Sequence, residues 1–492
     1  MNLAPDDTIC ALATPPGRGG IGVIRVSGPR AYEIVDAATL PSRSWRTRRG
    51  HTLHRAVIRK YPGGDIDDVL LALFHAPKSY TGEDVVEIHA HGGPVPLRNI
   101  LALLYELGAR EAKPGEFTLR AFLNGKLDLA QAEAVADIIA ADTQEAHSLA
   151  KSQQSGDLSK QVEEIRGIIL GVLARIEASI DFPEDVGELD MEACRVEIGS
   201  AADSIERLLS TADAGILYRE GARVVLAGRP NVGKSSLMNA LLRTDRAIVT
   251  PIPGTTRDVI EEAANIAGIR LRLVDTAGVR ETVDAVERIG VERTRASLEA
   301  ADVALLVLDA TAGRTPEDDV ILDGIEGVPV VTVWNKSDLV TYPQPLPEGK
   351  GVRTPPRPSP YQEEGVLRNL TPTLSLERRG GQRGNPPLAV AVSALTGAGI
   401  DDLEKAIAEI LLAGTPALDD MSVVVTHSRH RHALASAREH LANAIATIDD
   451  YLPADFISID VRGALVDLGE ITGATATEDI INEIFSRFCI GK

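Results

Sequence analysis

The sequence predicts a multidomain chain of mixed class: an N-terminal α/β domain, an all-α helical domain, and a second α/β domain inserted between the two halves of the helical one. Three observations predict it. Residues 1–122 hold short β-type runs broken by glycines. Residues 123–219 and 415–492 repeat apolar residues at three- and four-residue spacing. Residues 220–414 alternate β-rich with helical runs, the pattern of a parallel sheet covered on both faces. At 492 residues the chain also exceeds what one hydrophobic core supports.

Each element has a local reason. Gly22-Val23-Ile24-Arg25-Val26 and Asp84-Val85-Val86-Glu87-Ile88-His89 alternate or nearly alternate as strands do. Leu129 to Ile139 reads as an amphipathic helix, and Asp181-Phe182-Pro183 should interrupt the helical region, because proline lacks a donor and clashes with the preceding turn. Helical spacing returns from about His430 to Phe488. Thr341 to Pro387 departs from all of this, with 10 prolines and 6 glycines in 47 residues. A structureless run that long is uncommon inside a compact domain, so it reads as a disordered, passive surface insertion resembling a translated repetitive DNA element, with a partner-binding loop as the other option.

Composition narrows the class. With 44% hydrophobic and 25% charged residues, and no run of ~20 apolar residues, the expectation is a cytoplasmic protein without a membrane partner. Three cysteines without paired spacing (Cys10, Cys194, Cys489) argue against a disulfide framework or a four-ligand zinc site. A net charge of -20 argues against a wide basic surface and leaves room for a local one.

The strand Arg223 to Ala227 runs into Gly228-Arg229-Pro230-Asn231-Val232-Gly233-Lys234-Ser235, a G-x-x-x-x-G-K-S phosphate loop. Its glycines let backbone N–H groups close on phosphate oxygens, Lys234 is placed for the β- and γ-phosphates, and Ser235 for Mg²⁺. Further motifs follow in the order a Ras-like P-loop GTPase requires. The expected contacts are Asn231 to Ser236 (with Val232, Gly233, Lys234 and Ser235), then Thr250, Pro251, Ile252, Pro253, Gly254, Thr255 and Thr256. Asp275-Thr276-Ala277-Gly278 should hold the metal through water and sense the γ-phosphate, with Thr256 as second Mg²⁺ ligand. Asn335, Lys336 and Asp338 should read guanine, since a carboxylate can accept from N1–H and the 2-amino group, and Ser393-Ala394 should back the base. Val279 stands where Ras-type enzymes place a water-orienting glutamine, so another polar group is needed, with Glu281, Asp284 and Glu287 as candidates. Arg257 and Arg280 lie in the switches without marking an arginine finger, and the Asn231 carbonyl suits a monovalent cation between the phosphates.

Outside this domain, Ala13-Thr14-Pro15-Pro16-Gly17-Arg18-Gly19-Gly20, Tyr80-Thr81-Gly82-Glu83-Asp84, Lys113-Pro114-Gly115-Glu116-Phe117-Thr118, Phe122 to Leu129 and the terminal Phe488-Cys489-Ile490-Gly491-Lys492 resemble the MnmE (TrmE) family of bacterial tRNA-modification GTPases, of the TrmE-Era-EngA-like superfamily. The resemblance covers the chain except the insertion. It implies a GTP hydrolase that works with a flavoprotein partner (MnmG, which carries the FAD) to add an aminomethyl-type or carboxymethylaminomethyl group at C5 of the tRNA wobble uridine. It also implies a homodimer, and a tetrahydrofolate donor (5-formyl or methylene) held by Arg25, Glu87, Lys126 and Lys492. K⁺ would be held by Asn231 and Thr255 with backbone oxygens at Thr250 and Ile252, and Glu287 would orient the attacking water. Cys489 matches a terminal cysteine tied to the modification. The alternatives are a ribosome-assembly GTPase and a GTP-dependent switch without turnover. Arg429-His430-Arg431-His432 reads as a solvated helix face, with tRNA phosphates as the other option. His75, His89 and His91 lie together without a full metal set.

Overall fold

The computed structural model describes residues 7–40, 44–60, 62–182, 184, 189–244, 262–275, 300–325, 327–340, 388–418 and 422–492. The chain divides into two compact units. One comprises residues 1–140, 150–209 and 423–492, and the other residues 141–149 and 210–422. The second unit therefore begins some ten residues before the expected residue 220 and recruits a short piece of the helical region.

In the first unit, seven strands form one sheet: β1 (Ile9–Leu12), β2 (Ile21–Ser27), β3 (Thr39–Leu40), β4 (Thr52–Lys60), β5 (Gly64–Phe74), β6 (Val85–His91) and β7 (Arg110–Glu111), in the order β3-β4-β5-β6-β2-β1-β7. Alternation sets its faces. Ile24, Val26, Leu71, Leu73, Val86 and Ile88 are buried with Ile34, Val35, Ile100 and Leu104 from helices Ala31–Ala38 and Pro94–Glu106. The period of two then turns Val23, Arg25, Glu87 and His89 to the other face, with Arg25 opposite Glu87 and Val23 opposite His89.

Four long helices complete this unit: Asp157–Asp181, Met191–Leu209, Ser428–Asp449 and Ala454–Thr472. Each packs on two of the others, and the chain leaves this bundle at Leu209 and rejoins it at Val423. The first ends at Asp181, just before the predicted break. One expectation is corrected here. His430 is fully buried, and Arg429 binds the buried Glu133 (Nη2–Oε2 2.7 Å), as does His430 (Nε2–Oε2 2.9 Å). A buried carboxylate has to be paired, and these two side chains pair it, so the solvated face is limited to Arg431 and His432, which are exposed. Burial alone would raise the pKa of Glu133, but the interaction with His430, which also hydrogen-bonds it, and with His427 and Arg429 holds it well below the usual range.

The second unit carries a six-stranded sheet of β8 (Ala222–Ala227), β9 (Glu262–Ile266), β10 (Ile269–Asp275), β11 (Val303–Asp309), β12 (Val330–Asn335) and β13 (Leu388–Ala391), in the order β13-β12-β11-β8-β10-β9. All neighbours are parallel except β9 and β10. Val303 to Leu308 are all buried, as expected of a central parallel strand covered on both faces. Carboxyl ends of parallel strands gather the loops that bind ligands, and here those ends are Ala227, Asp275, Asp309 and Asn335.

Candidate functional site: a phosphate loop and a second, charged pocket

The loop after β8 is shaped by backbone conformation. Gly228 and Gly233 have φ of +146° and +96°, and a Cβ on them would meet the Val307 carbonyl at 2.4 Å and Asn335 Nδ2 at 2.2 Å. Only glycine fits either position. Asn231 also lies in the left-handed region (φ 63°), a strained placement for a non-glycine residue. Helix Lys234–Thr244 starts where the loop ends, so its free N–H groups and positive end face the loop.

Side chains then tie the strand ends together. Lys234 is buried, and its Nζ donates to the carbonyls of Gly228 (2.6 Å) and Arg229 (2.9 Å). Burial lowers its pKa and Asp275 partly opposes that. Ser235 Oγ donates to Asp275 Oδ2 at 2.9 Å. Asn335, 2% exposed, donates through Nδ2 to the Val232 carbonyl (2.9 Å) and accepts through Oδ1 from the Ala394 N–H (3.1 Å). One amide therefore locks the phosphate loop to the Ser393-Ala394 loop. Lys336 Nζ does similar work, donating to the Asn231 carbonyl (2.9 Å) and to Asp309 Oδ2 (2.6 Å). Burial works to raise the pKa of Asp309, but Lys336 and the Thr311 donors outweigh it and bring the carboxyl to about 2. Asp338 sits exposed in the turn Ser337–Leu339.

A different, charged pocket lies on the face of the seven-stranded sheet turned away from helices Ala31–Ala38 and Pro94–Glu106, beside helix Glu116–Leu123. Arg25 Nη2 and Nε donate to Glu87 Oε1 at 2.8 and 3.0 Å, with both side chains largely buried. The Arg25 guanidinium carbon lies 5.2 Å from the Tyr80 ring and 5.5 Å from the Phe117 ring. Its Nη1 is buried without a hydrogen-bond partner, as is Nε2 of His89, 3.6 Å from the Glu87 carboxylate. A buried guanidinium N–H without an acceptor is costly unless a ligand supplies one. The C-terminal tail closes the pocket. Gly115 donates to the Cys489 carbonyl (3.4 Å) and Phe117 to that of Lys492 (3.2 Å). Gly491 (φ +94°) fits where a Cβ would meet the Leu12 carbonyl at 2.3 Å. Burial and the nearby Arg25 lower the pKa of Lys492, with Glu87 opposing.

Residues 129–489 match the model of the MnmE helical domain, and residues 8–126 that of the GTP-binding protein TrmE N-terminus. Named tRNA modification GTPases MnmE align along nearly the whole length. That of Moorella thermoacetica is 45% identical, covering 99% of this chain and all of its own, and that of Chloroflexus aurantiacus is 47% identical over the same shares. This chain belongs to the MnmE family. Among solved structures, Aquifex aeolicus Era overlaps 44% of this chain and 66% of its own at 30% identity, with a TM-score of 0.26.

Within this MnmE-family chain, the expected nucleotide residues Asn231, Val232, Gly233, Lys234, Ser235, Ser236, Asp275, Asn335, Lys336, Asp338, Ser393 and Ala394 gather at the carboxyl ends of the second unit's sheet. Thr250 to Thr256, Thr276 to Gly278 and Glu287 lie outside the described residues, as does the 341–387 insertion. Arg25, Glu87 and Lys492 come together. Lys126 is exposed at the side, its Nζ donating to the Pro77 carbonyl at 3.2 Å. Cys489 is exposed on the docked tail. Sequence reasoning missed Asp309, which its place at the end of an apolar strand could have flagged. It also missed Tyr80, Phe117 and His89 around Arg25, which no spacing connects.

Proposed function

We propose that this protein hydrolyses GTP and couples it to modification at C5 of the wobble uridine of tRNA, as a homodimer with a flavoprotein partner. The observation that carries this reading is an MnmE-family chain in which the Lys234, Ser235–Asp275 and Asn335 contacts are all assembled. Lys234 holds two loop carbonyls and exchanges them for β- and γ-phosphate oxygens when GTP enters, where its charge stabilises the phosphoryl group in transfer. Ser235 and Asp275 offer hard oxygen donors suited to Mg²⁺, which would neutralise charge building on the bridging oxygens. Asp338 accepts from guanine, and Glu287 orients water in place of Val279. Asn231, already held in a rare backbone conformation, and Thr255 are the K⁺ ligands, with Thr250 and Ile252 backbone oxygens.

The second pocket fits a tetrahydrofolate. Its unpartnered Arg25 Nη1 and the Lys492 ammonium suit carboxylates, Glu87 suits the donors of a pterin, and Tyr80 and Phe117 suit an aromatic face. The bound folate would supply the one-carbon unit, with Lys126 and Cys489 as the further residues the family resemblance adds.

The test is steady-state GTP hydrolysis in KCl and in NaCl at equal ionic strength. Acceleration of about tenfold or more in K⁺ is expected, the scale of one electrostatic stabiliser of the transition state. Equal slow rates would remove the cation step and the G-domain pairing it supports.

A further inference from the structure

On an acidic chain, residues 37 to 64 contain seven arginines and lysines and no aspartate or glutamate. The structure makes part of that run a built corner. Trp45 is 3% exposed, its indole Nε1 donating to Thr39 Oγ1 (2.7 Å) and its backbone N–H to Asp36 Oδ1 (2.8 Å). This anchor holds the turn Trp45–Thr47 and leaves Arg46, Arg48, Arg49 and His51 exposed beside it. Arg55, Arg59 and Lys60 are neutralised by Asp68, Asp65 and Glu106. Among the described residues, Arg48 and Arg49 have no ion-pair partner, so two always-charged forks stand uncompensated on one edge.

The corner is also fastened to the segment 75–84, which carries Tyr80 of the Arg25 pocket. His75 Nε2 meets the Arg48 carbonyl at 2.8 Å, and Arg46 pairs with Asp84 at 3.3 Å, whose Oδ1 accepts from the Ala76 N–H at 3.0 Å. From His75 the chain passes Lys78 to Tyr80, which lies on Arg25, while Lys126 binds the Pro77 carbonyl. Five residues span at most ~17 Å, so the His75 anchor of the corner lies within that reach of Tyr80 in the pocket.

We infer that the Arg46–His51 corner, with Lys78, is a phosphate-backbone docking surface for RNA that brings the tRNA substrate to the pocket. This rests on the tRNA-modifying reading above. Uncompensated guanidinium groups near the pocket proposed to hold the one-carbon donor are the electrostatic footprint of backbone contact, on a chain whose net charge is -20.

The test uses the full-length protein and an unmodified tRNA transcript, with binding followed by fluorescence anisotropy across a KCl series. The Arg48→Ala/Arg49→Ala pair is expected to bind about tenfold more weakly, with a log–log salt slope smaller by about 1 to 2. The Arg48→Lys/Arg49→Lys pair should stay within about threefold of wild type, since backbone contact needs charge more than fork geometry. Unchanged affinity and slope in the alanine pair overturn the proposal. So does a loss in the lysine pair as large as in the alanine pair. Wild-type binding to phosphatidylserine vesicles without binding to tRNA overturns it as well. Matching thermal melts establish that both pairs fold. Restoration of wobble-uridine modification by the wild type, in a strain lacking its own family member, is scored alongside. If restoration fails while the alanine pair still loses tRNA affinity, the functional reading falls and the surface stands. If restoration succeeds while both pairs bind as wild type, the surface falls and the reading stands.

Discussion

The two pockets are assembled by opposite means. The phosphate site is made of backbone: one loop, two glycines at positive φ and a helix start within eight consecutive residues, braced by Asn335 and Lys336. The Arg25 pocket is made of side chains from β2, β6, the Tyr80 loop, helix Glu116–Leu123 and the last residue of the chain. A backbone site constrains residue type position by position, so it writes itself into sequence. A side-chain site constrains only a sum of shape and charge, and many residue sets satisfy that sum.

This contrast says where each pocket breaks. The largest effect is expected at Gly233. Gly233→Val puts carbon atoms into Asn335 Nδ2 and forces a β-branched residue to positive φ, so GTP binding should fall by at least about a hundredfold. Isothermal titration with a GTP analogue measures it, and retained affinity would show that the cradle does not depend on glycine. Asn335→Ala should come next. It leaves the Val232 carbonyl and Ala394 N–H unpaired in a buried place, at a cost of about 2–4 kcal/mol, seen as a lower melting temperature and weaker nucleotide binding.

In the other pocket Arg25→Met keeps the stem between the two rings and removes the cation. Tetrahydrofolate affinity should drop by about 2 kcal/mol, a loss comparable to one charged hydrogen bond. Unchanged folate binding would sever that residue from the pocket's use. The smallest effect is at Asp309. Its pKa is about 2 when folded, below the ordinary value of 3.8, so its contribution is present above pH ~4 and lost as the pH falls through 2. Asp309→Asn should therefore lower the melting temperature by a few degrees at pH 7 and converge with wild type near pH 2. A constant difference across that range would assign the effect to shape instead of charge.

Legibility follows the same division. Periodicity marked β2, β6, helix Leu129–Ala140 and the insertion of the second unit in the bundle, because the pattern of burial is local. Phosphate-loop residues and the Asn335 to Asp338 turn were legible because spacing along one chain segment decides them. Bottom-up spacing did not join Arg25 to Glu87 and Lys492, which are 62 and 467 positions away in the chain; only the family resemblance did. The burial of His430 was hidden for a related reason, since its partner Glu133 stands 297 positions earlier. A basic, exposed-looking tetrapeptide reads as solvated until the distant carboxylate is found.

We propose that GTP turnover at the backbone-built site drives chemistry on tRNA. Its most direct test is nucleoside mass spectrometry of tRNA from a strain lacking its own family member, carrying either this protein or its Lys234→Ala variant. Wobble-uridine modification should return with the wild type and stay absent with the variant. Equal modification by both, or none with the wild type at matched expression, would contradict it.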